Sequence, residues 1–380
     1  AITTKAQDCT DESVLKEPGR FLDNHTGKPL RGTNNTPAEL ANAKKTMTAF
    51  EQVCKKTLVF TGGRAKASFL MNTKDHYNQQ TANVYMYNLG MHAFVCNVQT
   101  HKLAIVDEYM GVLRITGNPS FERAFSLDTD APEYKNTFQS KDIYGPRINM
   151  LNYYGFGDVQ IPDAVNNGTD YLDLSTENIG RQGSYVLKRT DKGYGYMFEN
   201  RFVNWGIGLI YRHRYITHTD IPFFIPATRK KFLQDLLEFY EREKTYLVTR
   251  YSKDKDDIIK INEKKKAYAQ NLLTTKDAGW LNQQAVVEYD NKTFIVPYDP
   301  KKYLGDIYGK FHFKEFYTGT DGLKLYNINP EYIKKYPPNG AKPSLIKIAY
   351  RYRDKDRFLL SVKDDYINKL DIEGFKKILQ

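Results

Sequence analysis

From Gly63 to Ile225 the apolar residues recur at every second position, while on either side they recur at helical spacing, and this change of period constrains the fold most. Alternating stretches rich in β-branched and aromatic residues predict strands over Ser68–Met71, Val84–Tyr87, His92–Val98, Ala104–Glu108 and Val112–Thr116. The same pattern returns in Ser184–Arg189, Tyr194–Asn200 and Gly206–Thr217, with Asp191-Lys192-Gly193 as the turn of a hairpin. The stretch from Asn118 to Asn178 is less regular, and Asn166-Asn167-Gly168 reads as a turn.

Helices frame this region. Thr36-Pro37-Ala38-Glu39 opens the first: Thr36 caps it, Pro37 takes the first helical position, and Glu39 reaches back to the cap. That helix is expected to run to Lys56 and stop before Gly62-Gly63. Thr228 starts a second, whose Phe232, Leu233, Leu236, Leu237 and Tyr240 share one face, and a charged third covers Lys255–Leu273. Strands resume after Gly279, at Ala285–Tyr289, Phe294–Val296, Leu323–Tyr326, Leu345–Tyr352 and Phe358–Val362. Asp371 caps a last short helix ending near Leu379. The order predicts an α+β chain, mainly antiparallel sheet, with an N-terminal helix and a long helical pair between two strand-rich regions. Its segments are a polar arm over 7–36, a helix with strands over 37–226, the helical pair over 227–276, and a strand-rich C-terminal region over 277–380 with its short helix.

The first residues bear on location. Small side chains at Thr4 and Ala6 suit a signal-peptidase cut before Gln7, so residues 1–6 read as the remnant of a signal peptide. No apolar run approaches the roughly 20 residues that span a bilayer, so no transmembrane segment is expected. A chain with 41% hydrophobic and 14% aromatic residues can build a core, and its 29 tyrosines favour strands with polar outer tips or a surface that stacks rings. Of three cysteines, Cys54 falls on a helical stripe with Leu40, Ala43, Met47 and Phe50. A disulfide between Cys9 and Cys54 would tie the arm to that helix, leaving Cys96, within Ala93-Phe94-Val95-Cys96, as a buried thiol.

The chain resembles uncharacterised exported proteins of Bacteroidota. The likeness rests on a Cys followed by Lys16-Glu17-Pro18-Gly19, on Pro226-Ala227-Thr228-Arg229-Lys230 before an aromatic-rich helix, and on Trp280-Leu281-Asn282-Gln283 before a strand. Asn329-Pro330-Glu331-Tyr332 and the closing Leu370–Leu379 segment complete it. These pieces are short and scattered over the whole length. The resemblance implies export and carries no activity.

Several chemistries lack their motifs. The Gly pairs at Gly155/Gly157, Gly193/Gly195 and Gly206/Gly208 have no following Lys-Ser or Lys-Thr, so no phosphate-cradling loop is present. Gly183-Ser184 sits in strand context rather than in a nucleophile elbow, and no His-Glu-x-x-His occurs. Carboxylate pairs of the glycosidase kind stay open, because they meet only in space. One local constellation stands out: Tyr211-Arg212-His213-Arg214-Tyr215, followed by His218. On a strand Tyr211, His213 and Tyr215 share one face, where rings can stack on sugars. Arg212 and Arg214 share the other with Ile216, where guanidinium groups can hold carboxylate or phosphate. The alternative is a sheet face whose Arg row answers acidic neighbours. The helical pair carries 13 Lys or Arg against 8 Asp or Glu between Thr228 and Lys276, a mixed surface rather than a single-sign patch.

Together these point to a non-enzymatic binding or assembly protein, exported to the periplasm, the outer membrane or the exterior, with a protein or glycan partner. Contact with an anionic envelope surface fits the charge. No cofactor, metal or nucleic acid is expected. The alternative is a carbohydrate-active hydrolase.

Overall fold

The computed structural model describes residues 9–30, 35–71, 84–108, 110–119, 165–172, 185–190, 193–198, 209–250, 252–287, 313, 315–319, 323–338, 342–353 and 355–379. The expected leader remnant at 1–6 and the expected strand at Phe294–Val296 lie outside them, as does most of Asn118–Asn178.

The chain has an α+β fold. A short helix α1 (Asp11–Lys16) and strand β1 (Arg20–Asp23) precede the long helix α2 (Pro37–Thr57). In α2 the Thr36 hydroxyl accepts from the Glu39 N–H while the Glu39 carboxylate accepts from the Thr36 N–H, the reciprocal cap its sequence spells out. Gly62, at φ 79°, turns the chain into the sheet, a left-handed conformation that suits glycine.

Strands β2 (Gly63–Met71), β3 (Tyr85–Cys96), β4 (Leu103–Ile105), β5 (Gly111–Gly117), β6 (Tyr171–Leu172) and β9 (Leu209–Ile216) follow, with a separate hairpin of β7 (Tyr185–Thr190) and β8 (Gly193–Phe198). The main sheet runs β1-β2-β3-β5-β14-β9-β6, where β14 is Ile346–Arg353, and β4 pairs with the end of β3. Only β1 and β2 are parallel; the other pairs are antiparallel. The sheet draws on both strand-rich regions, because β14 inserts between β5 and β9 near the end of the chain. One long strand, β3, stands where two were expected. Asn88 and Gly90 interrupt the alternation of apolar residues, but neither interrupts the backbone pairing.

Helices α2, α7 (Arg357–Asn368) and α8 (Ile372–Leu379) cover one sheet face, and Met47, Phe50, Cys54, Tyr87, Leu113, Ile348, Tyr350, Leu359 and Phe375 fill the core between. Burying each such side chain contributes about 1.5–3 kcal/mol. Phe358–Val362 is therefore helix rather than the expected strand. Asp356 accepts from the Leu359 N–H at 3.0 Å, and Phe358, Leu359, Val362 and Tyr366 turn inward at helical spacing.

A second core lies under the helical pair α3 (Arg229–Arg250) and α4 (Lys255–Thr275). Phe232, Leu236 and Tyr240 meet Ala269, Phe313 and Phe316, beside a short helix α5 (Ala278–Leu281). A third, around Phe223 and Tyr332, joins β10 (Phe224–Pro226) to the segment that contains α6 (Pro330–Lys335). Short strands β11 (Val286–Val287), β12 (Leu323–Lys324) and β13 (Tyr326–Ile328) complete the chain: β11 pairs with β12, and β10 with β13.

The disulfide joins Cys9 to Cys96, with 5.6 Å between their Cα atoms, which corrects the expected Cys9–Cys54 pairing. Cys54 is fully buried on the inner face of α2 and is a free thiol. The arm reaches α2 further along, where His25 meets Glu51, but not at Cys9. The Cys9 N–H instead donates to the His101 carbonyl in the turn after β3, which places Cys9 beside the half-exposed end of that strand.

Candidate functional site

The Tyr211–Tyr215 strand occupies an interior position in the sheet, between β14 and β6. Register keeps the two faces apart as the sequence suggests: Arg212 and Arg214 pair with Tyr350 and Ile348, whose side chains enter the helix-covered core. Arg212 is committed, its Nε donating to Asp170 at 2.7 Å. Arg214 is buried with its guanidinium 5.8 Å from the Tyr366 ring centroid. His213 and Tyr215, on the other face, are also buried, and Tyr215 belongs to the third core. Tyr211 pairs through its backbone with Arg351, and its side chain lies outside what is described. His218 stacks on Tyr336 at 3.5 Å, and burial lowers its pKa. These side chains are taken up by core, ion pair and stack rather than presented together.

The register brings a different set together. On the sheet face opposite α2, α7 and α8, β2 contributes Arg64 and Lys66, β5 contributes Arg114, and β14 contributes Lys347, Arg351 and Arg353. Pairing runs Lys66 to Gly90, Gly90 to Val112, and Val112 to Arg351, so a row with a glycine and a valine at its middle ends in a cation on each side. Three strand spacings put those end positions about 14 Å apart. Arg114 lies diagonal to Gly90, its Nε donating to Asn88 Oδ1 at 2.8 Å, which fixes its direction. Arg64 lies one pleat along β2 from Lys66, and Arg353 one pleat along β14 from Arg351. The result is a row of positive charge on either side of buried Gly90 and half-buried Val112.

No Asp or Glu occupies a described strand position on this face. Arg64, Lys66, Arg114, Arg351 and Arg353 make no ion pair among the described residues. Arg114 is exposed, the other four are half-buried, and the Nε of Arg64 is buried without a hydrogen-bond partner. Like charges gathered without counter-charge repel one another, and clustering of one sign raises the local concentration of anions. Buried carboxylates elsewhere are each matched. Glu51 meets His25 and Lys55, Asp170 meets Arg212, Glu243 meets Lys265, and Asp365 meets Lys369. Among the described residues no three His, Cys, Asp or Glu side chains converge as metal ligands, and no helix is long and apolar enough to cross a membrane.

The chain matches no protein-family model, no curated protein and no solved structure. The fold and the charge pattern therefore carry the functional reading.

Proposed function

We propose that the chain is a non-enzymatic binding protein of the cell envelope or its exterior, which holds an acidic glycan against the cationic face of its sheet. The observation that supports this is the group of five cations around Gly90 and Val112 that make no ion pair among the described residues. A groove that binds a polymer needs charges spread over the length of several residues of that polymer, and the span from Lys66 to Arg351 offers this, about 14 Å. Guanidinium groups bind carboxylates with paired, directional N–H bonds, so arginines at four of the five positions suit uronate or phosphate substituents. The Cys9–Cys96 disulfide is the kind of cross-link that persists in oxidising compartments, which fits an exported protein. A hydrolase would need two carboxylates free to act across a cleft, whereas Glu51, Asp170, Glu243 and Asp365 are each spoken for.

Isothermal titration with oligogalacturonate, with neutral dextran oligomers as the comparison, tests the reading. The parent should bind the acidic oligomer and not the neutral one, and the triple variant Lys66→Gln, Arg114→Gln, Arg351→Gln should bind neither. Equal binding of both oligomers, or undiminished binding by the folded triple variant, would sink the proposal. Release of reducing ends from either oligomer would favour the hydrolase instead.

A further inference from the structure

Away from the sheet, Arg229 is buried without a counter-charge among the described residues. Arg229, the first residue of α3, is only 9% exposed. Its guanidinium carbon lies 4.7 Å from the Trp280 ring centroid and 5.2 Å from that of Phe316, and those two rings meet edge to face at 5.5 Å. Aromatic rings attract a guanidinium and exclude water from the side they cover, but they do not answer its in-plane N–H donors. Its Nε is buried with no hydrogen-bond partner, and no carboxylate pairs with it. Burial lowers its pKa with no opposing charge to offset the effect. Buried charges are ordinarily paired, as Lys265 is with Glu243 and Arg212 with Asp170; Arg229 departs from this, as Arg214 does within the sheet, and Arg229 differs in having a second cation against the same ring.

The surroundings supply a second cation and a favourable field. Lys276 places its Nζ 5.4 Å from the Trp280 centroid and makes no ion pair among the described residues. The first turn of α3 holds no acidic residue, so the positive end of that helix meets no carboxylate of its own. The helix end itself is not the ligand: the Arg229 N–H donates to the Gln283 carbonyl at 2.9 Å, and the Lys231 N–H to the Thr228 hydroxyl at 3.1 Å. Those bonds, with Asp277 capping α5 through the Trp280 N–H at 2.8 Å, fix the backbone that carries Arg229 and Trp280. Binding therefore falls to the Arg229 guanidinium, with the Lys276 ammonium against the same Trp280 ring.

We infer that Arg229 and Lys276 form a site for a phosphate group, separate from the cationic sheet face. Two cations match the charge of a phosphate monoester near neutral pH, roughly −1.5 to −2, better than the single charge of a carboxylate. Arginine supplies directed in-plane donors and lysine a mobile point charge, a division of labour that suits a tetrahedral oxyanion.

Inorganic phosphate is the probe, with acetate and chloride at matched ionic strength as comparisons. Trp205→Phe leaves Trp280 as the sole tryptophan, since the chain has two, and its fluorescence then reports on the site. Phosphate should change that fluorescence saturably and raise the melting temperature above the chloride value. Lys276→Gln, which leaves the contacts of Arg229 with Trp280 and Phe316 intact, should weaken the phosphate midpoint several-fold, and Arg229→Gln should abolish the response. The Lys66, Arg114, Arg351 triple variant should keep it, so failure here and failure of the glycan reading are separable. An unchanged midpoint in Lys276→Gln, or an acetate response equal to that of phosphate, would overturn the assignment even if Arg229→Gln does not fold.

Discussion

Lys265 and Glu243 lie 2.9 Å apart between α4 and α3, with their side chains 4% and 5% exposed. The ammonium group also sits 5.3 Å from the Tyr240 ring centroid, and the neighbouring Asn262 donates to the Tyr240 carbonyl at 2.6 Å. Desolvating both charges offsets most of their attraction, so the pair adds little net stability over apolar residues of the same volume. What it does supply is register, because sliding one helix past the other would strand both charges. Lys265→Met alone should cost about 3–5 kcal/mol by taking the ammonium away from the buried Glu243 carboxylate, whereas Lys265→Met with Glu243→Leu should recover most of that loss. Urea unfolding of the two variants decides the matter, and a double variant no better than the single one would refute the account.

The cysteines make a second prediction. Peptide mapping without reductant should recover a Cys9–Cys96 cross-linked peptide, and Cys54 should resist alkylation until the protein unfolds, since burial pushes its thiol pKa up. The closed loop spans a separation of 87 residues, for which the chain-entropy model gives roughly 4–5 kcal/mol. Cys9→Ser with Cys96→Ser should lower stability by up to that amount. A Cys9–Cys54 peptide would contradict the arm's placement.

Acid tests the third core. Asp220 accepts from Lys335 at 2.5 Å and from Tyr336 at 2.7 Å, and those two bonds, Lys335 first, hold its carboxyl at about 2, below the ordinary 3.8. A carboxyl whose pKa falls on folding stabilises the native state above the unfolded value and loses that contribution as pH drops through the folded one. The stabilisation is thus complete above about pH 4 and gone below about pH 2. Asp220→Asn should melt lower than the parent at neutral pH, and the gap should close across that window. A gap that persists at pH 2 would mean the loss comes from the packing of Tyr336 and His218 rather than from the charge.

Local signals survive into this fold where they are chemically complete. Thr36 to Glu39 contains every group its cap needs, and Asp371 does cap α8, its carboxylate accepting from the Gly374 N–H at 2.8 Å. Phe358–Val362 was misleading because a run of five apolar-rich residues fits either period, and the decisive Asp356 cap lies outside the run. The site is less legible still. Lys347, Arg351 and Arg353 alternate within one strand, and Arg64 and Lys66 within another, so each strand hints at a basic face. Nothing in the sequence says that β14 crosses to lie beside β5, which is the step that sets Arg351 against Val112. Conversely Tyr211–Tyr215 has the composition of a binding strand, and only its interior place in the sheet reveals that His213, Arg214 and Tyr215 are buried.

The cationic face yields the last prediction, in how binding responds to salt and to single neutralisations. Rim charges gain little individually in high dielectric, so Lys66→Gln or Arg351→Gln alone should weaken oligogalacturonate by about 0.2–1 kcal/mol, at most some five-fold. Arg114→Gln should lose more, because Asn88 holds that guanidinium in one direction and little side-chain freedom is left to lose on binding. Gly90→Leu tests the middle of the row without touching any charge. A bulky side chain at the centre of the row should block the ligand sterically while leaving the ionic attraction in place. The parent and Gly90→Leu should therefore differ at every salt concentration, whereas the parent and the charge variants should converge as screening shortens the reach of the cations to about 3 Å at 1 M. If Gly90→Leu binds as the parent does, the anion is being held elsewhere, whatever the charge variants show.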